Sequence, residues 1–202
     1  MHEGRRITTK ETVDVVTMVY AGLINKKIVA QLQSNGCNSV GFSGADANSI
    51  VAEKRPANPV DFGFVGDVKK VNAEGIEAQV SNGITPVFCA ISHDGEGQLL
   101  NTNADTIASE LAIAMSGNYE VELVYCFEKK GVLLDVDDDN SVIENIDSSK
   151  YAQLKNDNVI HAGMLPKMEN CFHALNKNVS KVIIGSTVVI GNTNQLCTTL
   201  TL

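Results

Sequence analysis

The 202-residue chain is 44% hydrophobic, enough to fill one large core or two small ones, and carries a formal net charge of −8 at pH 7. That balance argues against a nucleic-acid backbone or an anionic membrane surface as partner. No apolar run reaches the roughly 20 residues that cross a bilayer, and the N-terminus lacks signal-peptide character.

Along the chain, Thr8-Thr9-Lys10-Glu11 reads as a capping box, with Thr8 reaching forward and Glu11 reaching back. A long helix follows, with Val15, Val16, Val19, Leu23, Ile24, Ile28 and Leu32 on a recurring apolar face, and Gly36 stops it. Residues 38–43 make a short apolar run ending in Ser-Gly, a buried strand. Residues 62–68 read as strand and bend. A helix over 73–80 leads through Asn82-Gly83 into a second buried strand over 84–91. His93-Asp94-Gly95-Glu96-Gly97 is turn chemistry, and 98–100 is a short return strand.

A helix over 105–115 carries Ile107, Leu111, Ala114 and Met115 on one side. Residues 121–127 form a third strong strand. The acidic run Asp135 to Asp139 lacks calcium-loop spacing and reads as a solvated loop. Residues 181–184 and 196–202 supply two more strands, and no internal repeat is present. Buried strands alternating with helices predict an α/β fold around a largely parallel sheet covered on both faces. Sites in such folds lie at the carboxyl ends of strands. The five cysteines (Cys37, Cys89, Cys126, Cys171, Cys197) are odd in number and lack CxxC spacing, which predicts reduced thiols in a cytosolic protein.

Two stretches carry chemistry. Asn101-Thr102-Asn103-Ala104-Asp105 places two amides and a carboxylate where a strand hands over to a helix. Gly163-Met164-Leu165-Pro166-Lys167 places a lysine in the opening turn of another helix. That turn carries about half a positive charge, so it repels a cation and welcomes phosphate. Lys167 is therefore a candidate phosphate-facing cation, or else a solvated lysine. Asp105 is a candidate to hold that lysine, to orient metal-bound water, or simply to cap its helix. Asn101 fits a substrate carboxylate or amide, or an ordinary turn. Arg5-Arg6 fits a bidentate carboxylate clamp or exposed terminal charge. Taken together, they point to phosphoryl transfer, which needs cations and backbone donors around the moving group and little covalent help.

Arg6-Ile7-Thr8, the Asn-Lys-Lys of 25–27, Val40-Gly41-Phe42-Ser43-Gly44-Ala45-Asp46, Phe64-Val65-Gly66-Asp67-Val68, residues 100–105 and residues 163–167 occur in one order. That order, from residue 4 to about residue 185, resembles the amino acid kinase family, in its branch acting on N-acetyl-L-glutamate. The resemblance implies an αβα sandwich around a mostly parallel central sheet. It also implies one domain over 1–202, with an acyl-glutamate-binding lobe over about 1–100 and a nucleotide-binding lobe over about 101–202. The implied reaction is ATP-dependent phosphorylation of the γ-carboxylate of an N-acylated glutamate in arginine synthesis.

By the same resemblance, Arg6 would bind a substrate carboxylate, and Asn101 the amino-acid end, with Asn103 beside it. Asp105 would organise catalytic lysines, Lys167 would stabilise the transferring phosphoryl group, and Gly163, Met164 and Lys167 would lie against the nucleotide. Mg²⁺ would accompany ATP, and the long first helix would serve a two-fold interface in a homo-oligomer.

Two departures bear on these expectations. The family's Lys-x-Gly-Gly and His-Gly-Gly-Gly loops precede the Gly-x-Arg element, which here occupies residues 4–6. The expectation is a fragment that lacks the N-terminal strands of its sheet and is inactive alone. The family strand ending Thr/Ser-Asp-Val-x-Gly-Val is replaced by a stretch over 125–132 without that aspartate, where Glu128 is the candidate substitute. Acetyl is the default acyl group and succinyl the alternative. A non-catalytic nucleotide- or arginine-binding role is the reading of a different class, and a kinase for aspartate, carbamate or a nucleotide is disfavoured.

Overall fold

Thr9, not Thr8, caps the first helix, accepting from the Thr12 N–H at 3.2 Å. Thr8 is committed elsewhere: its N–H donates to Phe62 O at 2.9 Å, and its carbonyl accepts from Phe64 N at 2.8 Å. A residue stitched by both backbone groups to another segment cannot also cap, so the start moves one position and Thr8 becomes fully buried.

The computed structural model describes residues 6–160, 164–192 and 195–202. The chain forms two units that divide after Ile107. No helix among the described residues is long and apolar enough to cross a membrane.

The first unit opens with α1 (Lys10–Thr17), a π-helical stretch (Met18–Ile24) and α2 (Asn25–Ser34). Gly36, at φ +78°, ends the run as expected, with the Cys37 N–H returning to Leu32 O at 2.9 Å. The expected apolar face is not a buried stripe. Val13 and Asn25 are buried, whereas Val15, Leu23, Ile24 and Ile28 are exposed. The i→i+5 bonding of the π-stretch changes the helical phase, so a 3.6-residue pattern does not hold through it.

β1 (Ser39–Phe42) pairs in parallel with β4 (Thr85–Phe88), and the Phe42 and Phe88 rings stack at 5.3 Å. A second sheet has the order β3-β2-β5-β6, from β2 (Ile50–Lys54), β3 (Gly66–Val71), β5 (Ile91–His93) and β6 (Leu99–Asn101). The expected strand over 84–91 is thus two strands in different sheets. Cys89 N bonds to Phe42 O on one side of the break, and Gly44 N bonds to Ile91 O on the other. α3 (Ala73–Ser81) joins β3 to β4 and is capped by Asn72, which accepts from Gly75 N at 3.1 Å.

In the second unit the sheet order is β7-β9-β10-β8, from β7 (Glu122–Phe127), β8 (Asn145–Ile146), β9 (Lys181–Ser186) and β10 (Thr198–Leu200). α4 (Ala104–Met115) leads the chain into it, and α5 (Ser148–Asn156) and α6 (Leu165–Leu175) belong to it. Its core joins Met168, Cys171 and Ala174 of α6 to Val182 and Ile184 of β9, with Ile146 and Leu200.

The α/β fold expected from the sequence is present, and its sheets are mixed among the described residues. β1–β4, β2–β5, β7–β9 and β8–β10 are parallel; β2–β3, β5–β6 and β9–β10 are antiparallel. Connections without a crossover helix, such as the turn between β5 and β6, return the chain antiparallel.

Two consequences are measurable. A Cβ added at Gly66 would stand 2.8 Å from Ser92 Oγ and 2.9 Å from both Leu100 Cβ and Thr102 Oγ1. Gly66→Ala should therefore cost about 1–3 kcal/mol, the usual range for overpacking, and lower the urea midpoint; an unchanged midpoint would contradict this packing. Asp147, the N-cap of α5, accepts from Lys150 N at 2.8 Å, and that bond holds its carboxyl below the ordinary value. A depressed folded-state pKa adds stability above the unfolded pKa and loses it as pH falls through the folded one. The protection factor of the Lys150 amide, its exchange rate measured against the intrinsic rate at each pH, should fall as Asp147 protonates in acid, and a protection factor independent of pH would refute the cap.

Candidate functional site

The first unit brings together two motifs far apart in sequence. Asn101, at the end of β6, donates through Nδ2 to Thr8 Oγ1 at 3.0 Å across 93 positions. Its backbone N–H bonds to Phe64 O at 2.9 Å, and Val65 bridges to it in parallel. The loop through Gly63 makes this possible. Gly63 has φ +70°, and a Cβ there would lie 2.2 Å from Thr8 O, so only glycine permits the approach. Arg6-Ile7-Thr8, Phe64-Val65 and Asn101 are thereby edge to edge, with Arg6 exposed.

The next residues are fixed from below. Thr102 is buried, its Oγ1 2.6 Å from Ser92 Oγ and 3.3 Å from Gly66 O. Asn103 caps α4, its Oδ1 accepting from Thr106 N at 3.0 Å. Asp105 lies inside the first turn, half-buried. Capping, the plainest reading of Asp105, is therefore performed by its neighbour two positions earlier. A carboxylate in a helix's first turn still suits the positive end of the dipole. Any contact of Asn103 with substrate would come from its amide nitrogen, since the oxygen serves the cap.

Lys10 and Lys54 are residues the sequence did not single out. Their ammoniums lie 5.9 Å and 5.0 Å from the centroid of the Phe64 ring, and Lys10 also pairs with Asp14 at 3.0 Å. The only signal was the Phe-Gly-Phe run, which marks aromatic faces but not which cations reach them. Nearby, Asp67 of the Phe-Val-Gly-Asp-Val stretch is held by Arg55, whose Nε lies 3.1 Å from both carboxylate oxygens.

In the second unit, Lys167 is the third residue of α6, as expected from the sequence. Met164 stands at the N-cap position, half-buried against the unit's core, and provides no side-chain cap. Pro166 in the first turn has no N–H to lose. Gly163 lies outside the described residues. The Lys167 Nζ sits 4.2 Å from the Phe127 ring centroid and 5.5 Å from that of Tyr125.

Beyond β7, Glu128 is exposed. Lys129 Nζ meets Asp139 Oδ1 at 2.6 Å; the bond holds the Asp139 carboxyl below, and the Lys129 ammonium above, its ordinary range. The acidic run is exposed, and its carboxylates cap turns: Asp135 accepts from Asp137 N at 3.0 Å and Asp138 from Asn140 N at 2.9 Å. Among the described residues no group of three or more His, Cys, Asp or Glu is arranged to hold a metal ion. A magnesium ion here would ride on substrate phosphates with one or two carboxylates, its usual habit. All five cysteines are free thiols.

Residues 1–186 match the amino acid kinase family. An acetylglutamate kinase from Cytophaga hutchinsonii is 57% identical over 185 residues, covering 91% of this chain and 70% of that protein. An acetylglutamate kinase from Bacteroides thetaiotaomicron is 54% identical over 184 residues, covering 91% of this chain and 72% of that protein. The crystal structure of smu.665 from Streptococcus mutans superposes with a TM-score of 0.84 at 26% identity, covering the whole of this chain and 76% of that one.

Proposed function

The chain belongs to the amino acid kinase family, and from this we infer that it transfers the γ-phosphoryl group of ATP to the γ-carboxylate of N-acetyl-L-glutamate, a step of arginine biosynthesis. The kinship with acetylglutamate kinases carries the choice of substrate. The chemistry is economical. A γ-carboxylate is ionised at pH 7, so its oxygen attacks the γ-phosphorus without a general base, and ADP leaves. What the protein must supply is alignment and positive charge for the phosphoryl oxygens.

In this proposal Arg6 takes a carboxylate of the acyl-glutamate, and Asn101 and the amide nitrogen of Asn103 take its amino-acid end. The Asn101–Thr8 bond supports the assignment by tying the Arg6 element to Asn101. Lys167 stabilises charge on the moving phosphoryl group and Asp105 organises the lysines around it. Residues Gly163 and Met164 lie along the nucleotide, and Mg²⁺ enters on the phosphates of ATP. The reaction takes place in the cytosol.

ADP release by the chain joined to the family's two glycine-rich loop segments tests the reading. N-acetyl-L-glutamate should stimulate it strongly, with L-aspartate, carbamate and unacylated glutamate inert. Stimulation by aspartate or carbamate instead would replace the substrate assignment.

We further propose a homo-oligomer built on the first helical run, where Met18 and Leu23 are 65% and 53% exposed. Apolar side chains of that size usually face a partner when several share one element. Leu23→Glu should reduce the sedimenting mass by a whole-number factor, and an unchanged mass would remove this interface.

A further inference from the structure

In the kinase reading Asn101 and Asn103 both contact substrate, and the residue between them faces the opposite way. Along 101–103 the side chains run half-buried, buried and exposed, the alternation of an extended segment. Thr102 is 4% exposed, and Ser92 on β5 is wholly buried. Their hydroxyl oxygens stand 2.6 Å apart, and Thr102 Oγ1 lies 3.3 Å from Gly66 O of β3. Ser92 Oγ also has Leu100 O at 3.5 Å, a longer contact. Each hydroxyl has one proton to give. The arrangement that uses the short contact and serves β3 is a relay: Ser92 donates to Thr102 Oγ1, and Thr102 donates to Gly66 O. Glycine at 66 lets the three close, since a Cβ there would stand 2.8 Å from Ser92 Oγ and 2.9 Å from Thr102 Oγ1.

We propose that Thr102 and Ser92 are positioning residues for the two asparagines: the buried hydroxyl relay sets the direction in which both carboxamides leave the backbone. The inference rests on the kinase reading for its consequence in turnover, though not for its effect on Asn101. Backbone bonds hold this segment from its two edges, Asn101 N–H to Phe64 O at 2.9 Å and Thr102 N–H to Ala90 O at 3.1 Å. What lies beneath decides how its side chains are aimed. An apolar residue at 102 would rest there by shape alone, whereas a hydrogen bond is directional. Threonine is also stiff at χ1, so a fixed hydroxyl fixes the bond from Cα to Cβ and the backbone with it. Buried hydroxyls are costly unless bonded, which leaves the pair one favourable arrangement. Such rigidity suits a site where a shift of about 1 Å in a substrate contact can cost about 10²-fold in rate.

Two readouts test this, one of them without turnover. In the 202-residue chain the Asn101 Nδ2 group, bonded to Thr8 Oγ1 at 3.0 Å, should exchange its protons slowly with solvent. Thr102→Val keeps the branched shape and leaves Ser92 its second acceptor at Leu100 O. It should speed exchange at Asn101 Nδ2 about 3- to 10-fold at constant pH. The Ile50 amide, bonded to Gly44 O at 2.9 Å, should keep its protection. Equal loss at both groups, or no change at Asn101, assigns the hydroxyls to folding stability alone and overturns the proposal.

In the chain joined to the two glycine-rich loop segments, Thr102→Val should raise the KM for N-acetyl-L-glutamate about 3- to 10-fold, with the KM for ATP within about twofold. Thr102→Ser, which returns the hydroxyl, should restore it. Ser92→Ala should raise the same KM, and the double variant should cost no more than Thr102→Val alone, because either change breaks the one relay. A serine variant as poor as the valine one, additive rises, or both KM values rising together overturn the positioning role. Faster exchange at Asn101 in a protein that phosphorylates no carboxylate supports the positioning and sinks the kinase reading instead.

Discussion

Lys167→Ala is expected to lower kcat about 10²–10³-fold, the loss typical of removing one preorganised charge-stabilising group, while the KM for ATP moves by less than about threefold. In the ground state one ammonium is one contact among the several that a nucleotide needs, and its loss would weaken binding little. In the transition state negative charge spreads over the transferring phosphoryl oxygens, where a fixed cation acts most strongly. Lys167 is at the N-terminus of α6, so its ammonium and the helix's open N–H groups favour the same anion. Arginine should not rescue it, because the guanidinium is a broad planar fork that spreads its charge where lysine presents a compact ammonium. A variant that loses ATP affinity and keeps kcat would mark Lys167 as a binding residue only.

Asn101→Ala carries the second large effect, expected on the other substrate. Hydrogen bonds to a charged group contribute about 1.5–3 kcal/mol. The KM for N-acetyl-L-glutamate should therefore rise roughly 10- to 100-fold, at about 1.4 kcal/mol per tenfold. The amide also donates to Thr8 at 3.0 Å, so the substitution loosens the Arg6 element as well. Thr8→Val separates the two roles, since it deletes the hydroxyl and leaves the amide. A small rise in KM in Thr8→Val with a large rise in Asn101→Ala would place Asn101 on the substrate. Equal rises would make it a brace for Arg6, and no rise in either would remove it from the site.

Much of the fold was legible because local signals agreed with tertiary demand. Gly36 ended its helix, Asn82-Gly83 led into β4, and His93 to Gly97 made the turn between β5 and β6. Failures came where a distant segment decided the outcome. Thr8 could not cap because Phe62 and Phe64 had claimed its backbone. The stripe from Val15 to Leu32 lost its phase in a π-stretch that no propensity scale anticipates.

Short or half-exposed elements were invisible to periodicity. β2 has only Ile50-Val51-Ala52 before its charged end, and α5 buries Leu154 alone. The Asp147 cap was the available signal for α5.

The site divided in the same way. The motif positions of Asn101, Asp105 and Lys167 were readable from residue type and placement at strand and helix ends. Which of Asn103 and Asp105 would cap α4 was not, because either suits the task and only the backbone geometry selects. The aromatic floor under Lys167 was also hidden. Tyr125 and Phe127 have the same pattern as core residues, and the cation reaches them from 42 and 40 positions further along the chain.

The most direct measurement is capture of the product with hydroxylamine, which converts an acyl phosphate to a stable hydroxamate. ATP and N-acetyl-L-glutamate would be offered to the 202-residue chain and to a chimaera carrying a relative's Lys-x-Gly-Gly and His-Gly-Gly-Gly segments ahead of it. N-acetylglutamate γ-hydroxamate should form with the chimaera, reduced about 10²–10³-fold by Lys167→Ala. A chimaera that binds both substrates and yields no hydroxamate would contradict it.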